Sequence, residues 1–82
     1  MDKKKITERV TDLAASIVEE AGLELVDVEY VRERDWFLRV FIDKAGVIDI
    51  DDCSAVSDAL AKNLYEEDFI KEKYYLEVSS PG

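Results

Sequence analysis

The first apolar residues of the chain recur at helical spacing. Ile6, Val10, Leu13, Ile17, Val18 and Ala21 fall on one face, while Thr7, Glu8, Arg9, Asp12, Ser16, Glu19 and Glu20 largely take the other sides. This spacing predicts a helix from about Thr7 to Ala21, closed by Gly22 where a helix C-terminus favours positive φ. From Leu23 the period shortens to two. Val26, Val28 and Tyr30 share one face, and Asp27 and Glu29 point the other way. After Arg32-Glu33-Arg34-Asp35 the alternation resumes, with Leu38, Val40 and Ile42 set against Phe37, Arg39, Phe41 and Asp43. Two alternating runs joined by a short polar segment predict an antiparallel hairpin whose tip carries two arginines.

The segment from Lys44 to Ile48 reads as a loop turning at Gly46. Asp49 is placed to cap a second helix, with Asp52 at the third position completing a capping-box-like arrangement. Asp51 and Asp52 also suit the positive end of that helix's dipole. Cys53, Val56, Leu60 and Leu64 form its apolar stripe, which ends before Glu66-Glu67-Asp68. Phe69 and Ile70 fall in a connection of no evident type. Tyr74, Leu76 and Val78 then alternate with Tyr75, Glu77 and Ser79 as a third strand. The order α-β-β-α-β packs most simply as a two-layer α+β sandwich. Its three-stranded mixed sheet would carry both helices on one face. The last strand runs into Ser79-Ser80-Pro81-Gly82, a turn that redirects the backbone. Residues 1–82 are therefore expected to form one domain of a longer protein.

Composition narrows the function more by exclusion than by indication. Apolar residues make up 48% of the 82, enough to build one small core. The apolar runs are far short of membrane-spanning length, so a soluble cytosolic chain is expected. A single cysteine, Cys53, excludes an internal disulfide and a cysteine-cluster metal site. The absence of histidine removes the usual neutral-pH general base and every imidazole-based triad. Twenty acids against eleven bases give a net charge of −9, which disfavours phosphate backbones and favours basic partners. The bases are concentrated: Lys3, Lys4 and Lys5 at the start, and Arg32, Arg34 and Arg39 on the hairpin. Asp49, Asp51, Asp52, Asp58, Glu66, Glu67 and Asp68 are offset within their segment by Lys62 alone. Local nucleic-acid contact is compatible with this pattern; a whole-surface nucleic-acid binder is not.

Each candidate for chemistry has an ordinary counterpart. Asp43, Asp49, Asp51 and Asp52 lack the turn glycine and late glutamate of a calcium loop, and capping accounts for Asp49 and Asp52. Cys53 lies on the apolar stripe with no histidine to activate it, as a buried structural cysteine does. No metal, cofactor or catalytic group is expected. The element order is KH-like, but Gly22, Gly46 and Gly82 provide no Gly-x-x-Gly loop for a nucleic-acid backbone. Phe37, Phe41, Tyr75 and Trp36 are candidates for the sheet face away from the helices. There they serve either to stack bases of single-stranded RNA or to dock a second domain, and contiguous exposed aromatics more often mark an interface. Arg32 and Arg34 suit phosphate contact or simply keep the hairpin soluble.

Four segments also resemble a known family. They are Gly22-Leu-Glu-Leu-Val-Asp-Val-Glu-Tyr30, Leu38-Arg-Val-Phe-Ile-Asp43, Ile50-Asp-Asp-Cys-Ser-Ala-Val-Ser57 and Tyr74-Tyr-Leu-Glu-Val-Ser-Ser-Pro-Gly82. Together they are similar to the N-terminal domain of the ribosome maturation factor RimP (YhbC-like) family, the last two being the more specific. The resemblance implies a noncatalytic, cytoplasmic factor that binds immature small (30S) ribosomal subunits and helps them mature. Its partners would be ribosomal RNA, a basic ribosomal protein, and a C-terminal SH3/Sm-type β-barrel of the same protein that family members carry beyond this domain. On that reading Asp51, Asp52, Glu77, Ser79, Ser80, Pro81 and Gly82 are candidate protein contacts. Arg32, Arg34 and Arg39 are candidate RNA contacts.

Overall fold

The computed structural model describes residues 2–80, so Pro81 and Gly82 lie outside the described residues. Helix α1 spans Lys3–Glu20, strands β1 and β2 span Glu24–Arg32 and Trp36–Asp43, helix α2 spans Ile50–Glu67, and strand β3 spans Tyr74–Ser79. The sheet order is β1-β2-β3, with β1 and β2 antiparallel and β2 and β3 parallel. This is the expected mixed sheet in the expected α-β-β-α-β order. Ile6, Val10, Ala14 and Val18 of α1 and Val56, Leu60 and Leu64 of α2 share one core with Leu38, Val40 and Ile42 of β2, so both helices cover the same face. Leu38, Val40, Ile42, Val56 and Leu60 are completely buried, each contributing about 1.5–3 kcal/mol of burial free energy.

Helix α1 begins a turn earlier than the apolar spacing predicts. The Asp2 carboxylate accepts from the Lys5 backbone N–H at 2.9 Å and caps the helix. Its first turn holds Lys3, Lys4 and Lys5 and its last holds Glu19 and Glu20, the reverse of what the helix dipole favours. Packing therefore holds α1, through four residues that are at most 3% exposed. Gly22 closes it at φ 76°, while the Leu23 N–H donates back to the Val18 carbonyl at 2.8 Å.

Helix α2 is set by its cap. The Asp49 carboxylate accepts from the Asp52 N–H at 2.9 Å, and the Asp52 carboxylate accepts from the Asp49 N–H at 3.2 Å, a complete capping box. Ile48 and Cys53 occupy the two positions of a hydrophobic staple, and both pack against the core. That gives Cys53 a packing role. At the other end Asp68 adopts the left-handed conformation at φ 45°, which stops the helix and turns Phe69 and the buried Ile70 back toward the core.

One strand departs from the simple alternation. In the β1–β2 ladder Leu25 pairs with Ile42 and Asp27 with Phe41, so Val26 is an extra, bulged residue. Leu25, not Val26, joins Val28 and Tyr30 on the helix-facing side, and Val26 is 51% exposed. Trp36 also belongs to the helix-facing side. It packs against the core and stacks on Tyr30 with centroids 4.6 Å apart at 13°, so it is not one of the aromatics of the opposite face.

Two substitutions separate local from tertiary contributions. Asp49→Ala removes the bond from the Asp52 N–H to the Asp49 carboxylate, leaves the Asp49 backbone N–H on Asp52, and is expected to cost about 1 kcal/mol in urea unfolding. Leu60→Ala empties a fully buried site and is expected to cost about 2–5 kcal/mol, with the m-value unchanged in both.

Candidate functional site

The sheet face turned away from the helices is built from three register rows. Val31, Phe37 and Tyr75 form one, Glu29, Arg39 and Glu77 the next, and Asp27, Phe41 and Ser79 the third. Phe37 and Tyr75 meet with centroids 5.7 Å apart, and Tyr75 is 46% exposed. At the centre, Arg39 Nε donates to Glu77 Oε1 at 2.9 Å and Arg39 Nη1 donates to Glu33 Oε1 at 3.0 Å. The Arg39 guanidinium also lies 5.1 Å from the Phe37 ring. Glu77 first and Glu33 second push the Arg39 pKa further up. Arg39 is thus bound on its own sheet, and Asp27, Glu29, Glu33 and Glu77 outnumber it.

This arrangement joins two residues that the sequence had suggested for different partners. Arg39, a candidate for RNA, and Glu77, a candidate for protein, are hydrogen-bonded to each other. Arg32 and Arg34 stand apart at the hairpin, both exposed, with the Arg32 guanidinium 5.9 Å from the Trp36 ring. The remaining described candidates, Asp51, Asp52, Ser79 and Ser80, gather at the opposite end of the sheet. Because β3 runs parallel to β2, Ser79 lies beside Phe41, and Ser80 follows it. The start of α2 is tied to the same end, since Lys44, directly after β2, donates from Nζ to Asp52 Oδ2 at 3.0 Å. Asp51 is exposed there in the first turn of α2. Five residue steps of β2 separate the Trp36 row from the Phe41 row, about 17 Å.

Asp52 is mostly committed to structure. The Lys44 ammonium, and then the Asp49 backbone N–H, hold its carboxyl below the usual aspartate range. Elsewhere the polar groups do not converge. The Tyr30 hydroxyl is buried without a hydrogen-bond partner among the described residues, and burial first, with Glu72 and Tyr74 after it, pushes its pKa up. Among the described residues no group of three or more His, Cys, Asp or Glu side chains is placed to hold a metal ion, and no helix is long and apolar enough to cross a membrane.

A surface of this kind suits binding, with charge sorted by position and aromatic groups between the charges. Comparison with known families identifies which binding module it is: residues 13–82 match the RimP N-terminal domain. The chain belongs to that family. Membership implies a role in ribosome maturation and partners connected with the ribosome. The match begins inside α1 and takes in every element after it. It therefore covers the open sheet face, the hairpin arginines and the α2 start of this RimP-type domain.

The two acids that hydrogen-bond Arg39 had no signal in the linear sequence. Glu33, Arg39 and Glu77 are brought together only by the hairpin turn and the parallel β2–β3 register. Asp27 and Glu29 share that face by the period-two alternation of β1, and their pairing with Phe41 and Arg39 sets them beside the arginine.

The Asp52–Lys44 pair makes a pH prediction. Asp52 has a lower pKa in the folded than in the unfolded chain, so its contribution is present at neutral pH. It is lost as pH falls through the folded value. A carboxyl-detected NMR titration should place the Asp52 midpoint below the ordinary value of about 3.9, and Lys44→Ala should bring it back up.

Proposed function

We propose that this domain is a noncatalytic, cytoplasmic assembly module for the small (30S) ribosomal subunit, acting by binding immature subunits. The observation that carries the reading is the match to the RimP N-terminal domain over residues 13–82. The surface supports it in a specific way. Acidic and hydroxyl groups (Asp51, Asp52, Ser79, Ser80) occupy one end of the sheet and the exposed Arg32 and Arg34 the other. A particle made of basic proteins and polyanionic RNA offers complements to both.

In this proposal Asp51 and Asp52, with the segment from Glu77 through Pro81 and Gly82, meet a basic ribosomal protein. Arg32 and Arg34 meet ribosomal RNA, with Arg39 behind them in the clasp made by Glu77 and Glu33. A C-terminal SH3/Sm-type domain is a further proposed neighbour, and the open face with Phe37, Phe41 and Tyr75 is the surface suited to it. The other reading, a stand-alone binder stacking single-stranded RNA on the sheet, has less support. Trp36 lies on the helix side and four carboxylates surround Arg39 on the open face.

The test is capture of immature and mature small subunits at moderate salt by the immobilised domain. Preferential retention of immature particles is expected. Arg32→Glu with Arg34→Glu should reduce retention roughly tenfold, as should Asp51→Lys. Equal retention of mature and immature particles, or none by a domain shown to be folded by circular dichroism, would overturn the assignment.

A further inference from the structure

The two edges of the sheet are finished differently. The β1 edge carries the Val26 bulge and the charged residues Asp27 and Glu29, which are common means of keeping an edge from pairing. Strand β3 has no bulge and no proline, and Glu77 is its one charged residue. Among the described residues no loop backbone bonds to its outer side. A groove runs along the helix-facing side of this bare edge, between α2 and β3, lined by Ala61, Leu64, Tyr65, Asp68, Ile70 and Tyr74. Tyr65 stands at its rim, 86% exposed.

From this we infer that β3 accepts an extended segment of a basic protein as a fourth strand, with apolar residues turned into the α2–β3 groove and lysine or arginine residues turned to the open face. Strand addition takes its affinity from main-chain hydrogen bonds and its selectivity from alternate side chains. On the helix side those side chains meet Leu64, Ile70 and Tyr74. On the open side they stand beside Tyr75 and Glu77, where a cation meets an aromatic ring and a carboxylate.

Charge selects the occupant. The domain carries −9, and the end of α2 beside the groove carries Glu66 and Glu67, the latter paired with Arg9, followed by Asp68 in the groove lining. The two nearby lysines are exposed but engaged locally. Lys71 donates to the Asp68 carbonyl at 3.3 Å, and the Lys73 ammonium lies 5.9 Å from the Tyr75 ring. A second copy of the chain would bring another −9 and set α2 against α2. RNA has no peptide backbone to extend a sheet and would meet the same acids. The inference shares with the proposed function only the basic character of the partner. The ligand in its test is a synthetic peptide and not a ribosomal particle, so the two can fail separately.

The experiment titrates the isotopically labelled chain with a decapeptide of alternating valine and lysine. Amide exchange and chemical shifts of residues 74–79 are followed, with shifts of Leu64 and Ile70 as a second readout. Outward amides of β3 should become protected roughly tenfold, and N-methylation of alternate peptide residues along the pairing edge should weaken binding by at least about tenfold. A valine–glutamate peptide should bind more weakly than valine–lysine, most of all at low salt. Ala61→Lys, at an exposed position of α2 and with a good helix former, should weaken the valine–lysine peptide while leaving the fold intact. Protection confined to β1 or to the start of α2 would overturn the inference. So would equal binding of the N-methylated peptide, no binding at millimolar peptide, or occupation of β3 by a second copy of the chain.

Discussion

Strand β2 is paired along both edges and buried along one face, and every other element is placed by how it meets that strand. Its helix-facing residues Leu38, Val40 and Ile42 are completely buried, so a helix layer must cover them. The parallel partner β3 cannot be reached by a tight turn. It needs a crossover, and α2 is that crossover, laid over the same face. Helix α1 completes the layer through Ile6, Val10, Ala14 and Val18, despite end charges that oppose its dipole. A polar residue at Val40 would disturb the sheet, the crossover and the helix layer together.

The same alternation that buries Leu38, Val40 and Ile42 sends Phe37, Arg39 and Phe41 to the other side. A lone arginine between two aromatic residues would make a phosphate or base platform if it were free. Here Glu77 and Glu33 reach it from neighbouring segments, and Glu29 stands opposite it across the hairpin. Both ion pairs are partly exposed, so their worth lies in orienting the guanidinium more than in stability. The face becomes one that attracts cations around an already neutralised centre.

How much of this was legible depended on whether the information was local. The capping box of Asp49 and Asp52, the stop at Gly22, the hairpin and the stripe of α2 involve residues a few positions apart, and periodicity or turn chemistry reveals them. The phase of β1 was not local. Leu25 and Val26 are adjacent and both apolar, so either suits the core, and only pairing with Ile42 and Phe41 decides between them. The start of α1 was hidden because Lys3, Lys4 and Lys5 have the wrong sign for a helix N-terminus, leaving the Asp2 cap as the only cue. Among the candidate contacts, the exposure of Arg32, Arg34 and Asp51 followed from the polar stretches that hold them. The Arg39–Glu77 bond joins residues 38 positions apart and needed the parallel register.

Charge separation along the sheet bears on how such a domain can engage a ribonucleoprotein. Screening at physiological salt decays over about 8 Å, whereas the hairpin arginines and the acids at the α2 start are separated by a span of about 17 Å along β2. Each end therefore acts on a partner nearly independently of the other. On the proposed function, in which the arginine end meets RNA and the acidic end a basic protein, the domain is oriented by the pair more strictly than by either alone. The aromatic rows and the bare edge of β3 lie between those ends. On the proposals above, they add main-chain and apolar contact that salt does not screen. Orientation by charge followed by short-range contact is a division of labour that a binding module can perform without a catalytic group.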